Sequence, residues 1–209
     1  MPSRTPRRPR QSNTTQSSGT SRAALAAALL ALAGLAAGCG KPLPFLGDLP
    51  HFSLTERSGA QVDSEQLRGK VWIADFVFTR CPDFCPALTA RMAQLQKRLP
   101  VDADPVHLVS FTVDPVHDTP EVLTAYAARA GAQPHWLFLT GPRDALAALL
   151  RDGFKVAYAD DGPATAPITH SDRFVLVDRA LRMRGYYHGD DPQDVDRLAV
   201  DAEALRRER

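Results

Sequence analysis

Two cysteines carry the residue types and spacing that can do chemistry. They lie in Phe76-Val77-Phe78-Thr79-Arg80-Cys81-Pro82-Asp83-Phe84-Cys85-Pro86, where each cysteine precedes a proline. A residue before proline is pushed out of the α region, and proline suits the first position of a helix. The pattern therefore predicts Cys81 at the mouth of a strand and Cys85 capping a helix that Pro86 opens. A helix N-terminus favours the thiolate, which is both the nucleophile and the metal-binding form of cysteine.

Three uses of such a pair compete. A structural disulfide across so short a loop would constrain little of the unfolded chain. Thiol–disulfide exchange suits a strand-to-helix dithiol, although the common redox motif has two intervening residues and this one has three. Metal binding needs at least one more ligand. Soft thiolates select Cu(I), zinc or iron–sulfur, but clusters require more thiolates and structural zinc prefers four protein ligands. A site of two sulfurs and one nitrogen suits copper. Among the 6 histidines, His51, His107, His117, His135 and His188 read as surface or packing residues. His170 follows a polar loop and begins a strand, so it can reach over the tip of a sheet.

The elements that must position these residues are legible in the apolar periodicity. Val71–Phe78 is nearly all apolar, as in a central strand covered on both faces; Asp75 within it reads as a satisfied or edge-facing carboxylate. Leu88, Met92, Leu95 and Leu99 keep helical spacing up to Pro100. Val106–Val113 predicts a strand, Thr119-Pro120-Glu121 a helix start and Gly131 its stop. Trp136–Leu139 reads as strand, Pro142–Asp152 as helix, Phe154–Tyr158 as strand and Asp160–Thr169 as polar loop. A hairpin follows, Phe174–Val177 and Met183–Tyr187 across Arg179-Ala180, and then a helix over Pro192–Arg207. Phe52–Leu54 and Ala60–Val62 around Ser58-Gly59 form an N-terminal hairpin. Strands alternating with helices predict an α/β domain, a central mostly parallel sheet flanked by helices.

The front of the chain differs in kind. Residues 1–22 are rich in Arg, Ser, Thr and Pro and read as disordered. Residues 23–39 form an Ala- and Leu-rich run ending in Leu-Ala-Ala-Gly-Cys, too short to span a bilayer comfortably. It resembles a bacterial lipobox with Cys39 as the lipidated residue; an uncleaved signal anchor is the alternative. Residues 40–50 read as a linker and 51–209 as the folded domain. Of 25 basic residues five arginines lie before Cys39, which leaves 20 against 24 acidic residues in the rest. A mildly acidic body without a basic stripe argues against nucleic acid as partner. With Cys39 assigned to lipid, only Cys81 and Cys85 remain, in a compartment where a disulfide can persist.

The motif Phe78-Thr79-Arg80-Cys81-Pro82-Asp83-Phe84-Cys85-Pro86 is followed by Phe111-Thr112-Val113-Asp114-Pro115-Val116-His117-Asp118-Thr119-Pro120-Glu121. Leu139-Thr140-Gly141 and Thr169-His170-Ser171 come next. This order resembles the Sco/SenC family of copper proteins over roughly Phe52 to Tyr187. The resemblance implies a thioredoxin-like fold on an N-terminal membrane anchor, with copper bound by Cys81, Cys85 and His170. It implies a copper metallochaperone at the periplasmic face of a bacterial inner membrane. Its partner would be the copper A subunit of cytochrome c oxidase, or another copper acceptor or donor. The alternative is a thiol–disulfide oxidoreductase, with Cys81 and Cys85 as the redox pair, that keeps the acceptor's cysteines reduced. Two positions depart from the pattern: Thr169 stands where many members have aspartate, and Val77 where glycine is frequent. Asp114 and Asp118 match the family's Asp-Pro-x-x-Asp segment; turn formation and helix capping account for them, outside the ligand set.

Overall fold

The computed structural model describes residues 42–81, 85–159 and 168–208, without the side chains of Cys85 and Thr169. The expected disordered start, the anchor segment and Cys39 lie outside the described residues. Leu43–Arg209 form one unit. Among the described residues no helix is long and apolar enough to cross a membrane.

The apolar run at the centre of the sequence becomes the central strand. Strands β1 (Gly47–Asp48), β2 (Ser53–Glu56) and β3 (Gln61–Asp63) precede β4 (Trp72–Val77), then helix α1 (Cys85–Arg98), β5 (His107–Thr112), α2 (Pro120–Ala130) and β6 (Trp136–Thr140). Helix α3 (Arg143–Ala148) continues as a π-helical turn over Leu149–Gly153. After it come β7 (Tyr158–Ala159), β8 (Thr169–His170), β9 (Arg173–Val177), β10 (Arg182–His188) and α4 (Pro192–Arg207). The main sheet has the order β1-β10-β9-β4-β5-β6-β2-β3, and β7 and β8 form a separate two-stranded ribbon.

Every residue of β4 is buried. Trp72, Ala74 and Phe76 face one core with Phe111, Leu150 and Phe154 of the α3 side. Ile73 faces the other, with Leu88, Met92 and Leu95 of α1, Leu123 of α2 and Leu198 of α4. The period-2 alternation of a strand thus feeds two apolar layers.

The sheet is mixed, where a mostly parallel one was expected. Among the described residues only β4–β5 and β5–β6 pair in parallel, the strands joined by the crossover helices α1 and α2. The tight hairpins β2–β3 and β9–β10 are antiparallel, and β9 lies antiparallel to β4. The proposed linker is also partly integrated. β1 pairs with β10, Leu46 and Leu49 donate backbone hydrogen bonds to Met183 and Leu181, and the Arg184 guanidinium donates to the carbonyls of Leu43 and Pro44. Within this stretch Gly47–Asp48 form an edge strand and Leu49 is buried.

Helix boundaries follow the punctuation. Pro120 and Pro192 open α2 and α4 behind the capping side chains of Thr119 and Asp191, and Gly131 ends α2 in the left-handed region at φ 68°. Pro142 caps α3 from outside, and the expected helix to Asp152 ends in wider turns, with the Phe154 N–H reaching the Leu149 carbonyl at 2.8 Å.

Candidate metal centre

The β4 strand delivers the chain to the first cysteine. Past Val77 the chain turns, and the Cys81 N–H donates to the Phe78 carbonyl at 3.2 Å. Cys81 is a free, half-buried thiol packed against the apolar layer on the α3 side. α1 begins at Cys85, one residue before the expected opening at Pro86. The thiol of Cys85 lies outside the described residues, as do 82–84.

The corner between β4 and α1 is tied to the corner between β5 and α2. Asp118 is fully buried. Its carboxylate accepts hydrogen bonds from the Thr79 N–H at 3.2 Å, the Thr79 hydroxyl at 2.6 Å and the Thr112 hydroxyl at 2.6 Å. Burial raises the pKa of Asp118, and the threonine donors pull it back. Arg80 reaches Asp114 through Nε at 3.1 Å, and the Asp118 N–H donates to the Asp114 carbonyl. Turn formation explains part of the Asp-Pro-x-x-Asp segment, as expected, but its second carboxylate also anchors the cysteine loop. Sequence reasoning missed that role; an aspartate with two threonines upstream, Thr79 and Thr112, was the available signal.

His170 arrives from the other side of β4. The antiparallel register pairs Ala74 with Val175, so the residues preceding β9 sit at the carboxyl end of β4, where the cysteine loop begins. β8 pairs with β7, Tyr158 opposite His170. His170 is only 7% exposed, and its ring meets that of Phe78 edge-on, with centroids 5.5 Å apart. Nδ1 lies 3.0 Å from the Ser171 carbonyl. A carbonyl only accepts, so Nδ1 carries the proton and Nε2 holds the lone pair that a metal ligand uses. Burial lowers the His170 pKa, partly opposed by the Ser171 carbonyl and by Asp172, which favours the neutral imidazole. Thr169 supplies no carboxylate, and Asp172, two residues after His170, acts electrostatically on this ring.

Other sequence expectations resolve differently. Met92 is core. Asp75 is not edge-facing: it is 1% exposed in the central strand. Its Oδ1 accepts from Ser110 at 2.6 Å, while Oδ2 is buried without a hydrogen-bond partner. His188, read as surface or packing, has Nδ1 2.7 Å from Asp172 Oδ2.

A soft thiol at a strand–helix corner and a buried neutral imidazole at the same end of a thioredoxin-like α/β sheet define a thiol–imidazole protein of the thioredoxin class. The SCO1/SenC family model matches residues 48–204. The chain belongs to that family. A SCO1 protein homolog of Bacillus subtilis is 40% identical over 99 residues, which is 47% of this chain and 51% of that protein; the match spans about half the length of that relative. The structure of BsSco, described as having a disulfide switch and as a member of the Sco family of cytochrome c oxidase assembly proteins, aligns at TM-score 0.72. It is 29% identical and covers 81% of this chain and 100% of BsSco. Arabidopsis thaliana ScoI, solved with copper bound, aligns at TM-score 0.65 with 26% identity, over 77% of this chain and 99% of that one.

Proposed function

We propose that this chain is a membrane-anchored copper metallochaperone that holds copper on Cys81, Cys85 and His170 and passes it to the copper A centre of cytochrome c oxidase. The observation that carries the reading is the position of Phe78. Its carbonyl closes the turn that bears Cys81, and its ring meets the imidazole of His170. One residue thus links the two segments that supply soft sulfur and neutral nitrogen. Those donors suit Cu(I). Copper is cargo here, and handover is exchange of one thiolate for another, without net redox change.

The Leu-Ala-Ala-Gly-Cys run ending at Cys39 supports anchorage through lipid at the periplasmic face of a bacterial inner membrane. The copper carried by Arabidopsis ScoI and the oxidase-assembly role given for BsSco support the cargo and the acceptor. The test is an anaerobic Cu(I) titration against a chromogenic chelator. His170→Ala should weaken binding at least tenfold; equal affinity in parent and variant would sink the ligand set.

A second reading is favoured by the free thiol of Cys81 and by the disulfide switch of BsSco: the copper-free chain reduces the acceptor's disulfide. Copper-free protein that reduces an unfolded disulfide substrate no faster than Cys81→Ser would rule it out.

A further inference from the structure

Three segments converge on one corner: the turn entering β9, the end of β10 and the approach to α4. They place Asp172, His188 and Asp190 so that one donor atom of each lies within 4.8 Å of the others. We infer that these three residues form a second, thiolate-independent site for a divalent first-row transition cation, with Cu(II) its tightest ligand.

The geometry suits a cation closely. His188 Nδ1 and Asp172 Oδ2 are 2.7 Å apart. Two donors at that separation, each about 2.0–2.1 Å from a metal, subtend about 80° at it, the cis angle of a tetragonal or octahedral centre. A cation can therefore replace the proton between the two atoms with a turn of the His188 ring that brings its Nδ1 lone pair onto the metal. Asp190 is exposed and on the same corner, so its carboxylate can close in as a third ligand.

The corner is held independently of the ligand atoms. The Gly189 N–H donates to the Asp172 carbonyl at 3.0 Å. A Cβ at position 189 would come within 2.8 Å of that carbonyl and 2.9 Å of the Phe174 ring, so only glycine lets the strands approach this closely. The His188 N–H donates to Asp194 Oδ2, and Asp191 caps α4 through the Gln193 N–H. The nearby guanidiniums are engaged elsewhere on the cluster. Arg173 lies 3.9 Å from the other oxygen of Asp172, and Arg197 bonds Asp194. Four aspartates against two arginines leave the corner anionic.

The donor set selects the ion. One imidazole and two carboxylates are too nitrogen-rich for calcium or magnesium and too hard for Cu(I), and the Irving–Williams order puts Cu(II) above the other divalent ions. Asp172 is two residues from His170, so their Cα atoms are at most about 7 Å apart. The site would hold hydrated Cu(II) beside the thiol–imidazole centre, but its chemistry does not require that centre.

The test uses the full chain with Cys39, Cys81 and Cys85 changed to serine and His170 to alanine, titrated with Cu(II) supplied as its glycine complex. Electron paramagnetic resonance should show one equivalent with a tetragonal nitrogen–oxygen spectrum. In that background His188→Ala should weaken binding at least tenfold, and Asp190→Asn several-fold. His51→Ala, which breaks a two-member pair with Asp63 at 2.8 Å, should leave it unchanged. Asp190→Asn alters an exposed side chain and serves as readout if His188→Ala fails to fold by circular dichroism. Undiminished Cu(II) affinity in both corner variants would overturn the site, as would an equal loss in His51→Ala, which indicates diffuse surface binding.

Discussion

Thr79 gives both its backbone N–H and its hydroxyl to the carboxylate of Asp118, at 3.2 Å and 2.6 Å. This staple fixes the chain just past the end of β4, at Thr79, two residues before Cys81. It couples the cysteine loop to the turn that opens α2.

Asp118→Ala strands these donors and the Thr112 hydroxyl in a buried site. Leaving buried donors of a charged acceptor unpaired should cost about 3 kcal/mol, read as a lower urea midpoint. The same variant should weaken Cu(I) binding, because the Cys81 turn loses its anchor. An unchanged midpoint would show that the staple contributes nothing.

Phe78→Leu tests the contact between the loop and the imidazole. Leucine retains most of the buried apolar volume, so stability should fall by less than about 1.5 kcal/mol. The edge-on ring contact with His170 is lost, however, and Cu(I) affinity should drop by more than the stability change explains. A chelator competition run beside thermal unfolding separates the two effects.

Asp75 makes stability depend on pH. Burial raises its pKa from 3.8 to about 7, with the Ser110 hydroxyl opposing. The folded chain therefore binds this proton more tightly than the unfolded chain. Its contribution is complete below about 4 and is lost as pH rises towards about 7, at about 1.4 kcal/mol per pH unit in between. By urea unfolding, the parent should lose stability relative to Asp75→Asn between pH 5 and pH 8; an unchanged difference between the two would exclude Asp75.

His107 acts in the opposite direction. Burial, Lys70 and His135 lower its pKa from 6.5 to about 4. The unfolded chain binds this proton more readily, so the contribution is complete above 6.5 and disappears as pH falls through about 4. Between those values this rise offsets the fall due to Asp75, so His107→Asn should make stability fall more steeply as pH increases from about 4 to 6.5. A parent and variant with the same slope between pH 4 and pH 6 would exclude His107 as the source of the rise.

Much of this was legible before any coordinates. Prolines before and after helices, Gly131, and the run Trp72–Val77, apolar apart from Asp75, determine local structure through short-range sterics and burial, and they placed the four helices and the central strand. The Cys-Pro repeat marks where the proposed chemistry lies, and the ordered motifs from Phe78 to Ser171 located the family. Pairing direction was not legible, because whether β9 runs with or against β4 depends on which edge the chain returns to, and no local residue encodes that. The same limit hid the strand in Leu43–Pro50, whose partners in β10 are more than a hundred residues away.

Side-chain partnership was decided by the tertiary structure alone. Sequence named His170 from its place after a polar loop, but only the antiparallel register of β9 on β4 brings it to Phe78. Sequence left Asp118 as a turn or helix-capping residue and His188 as a surface or packing residue. Folding put one beneath the cysteine loop and the other against Asp172, because hydrogen-bond acceptors and ligands are chosen by spatial proximity, which chain order does not record.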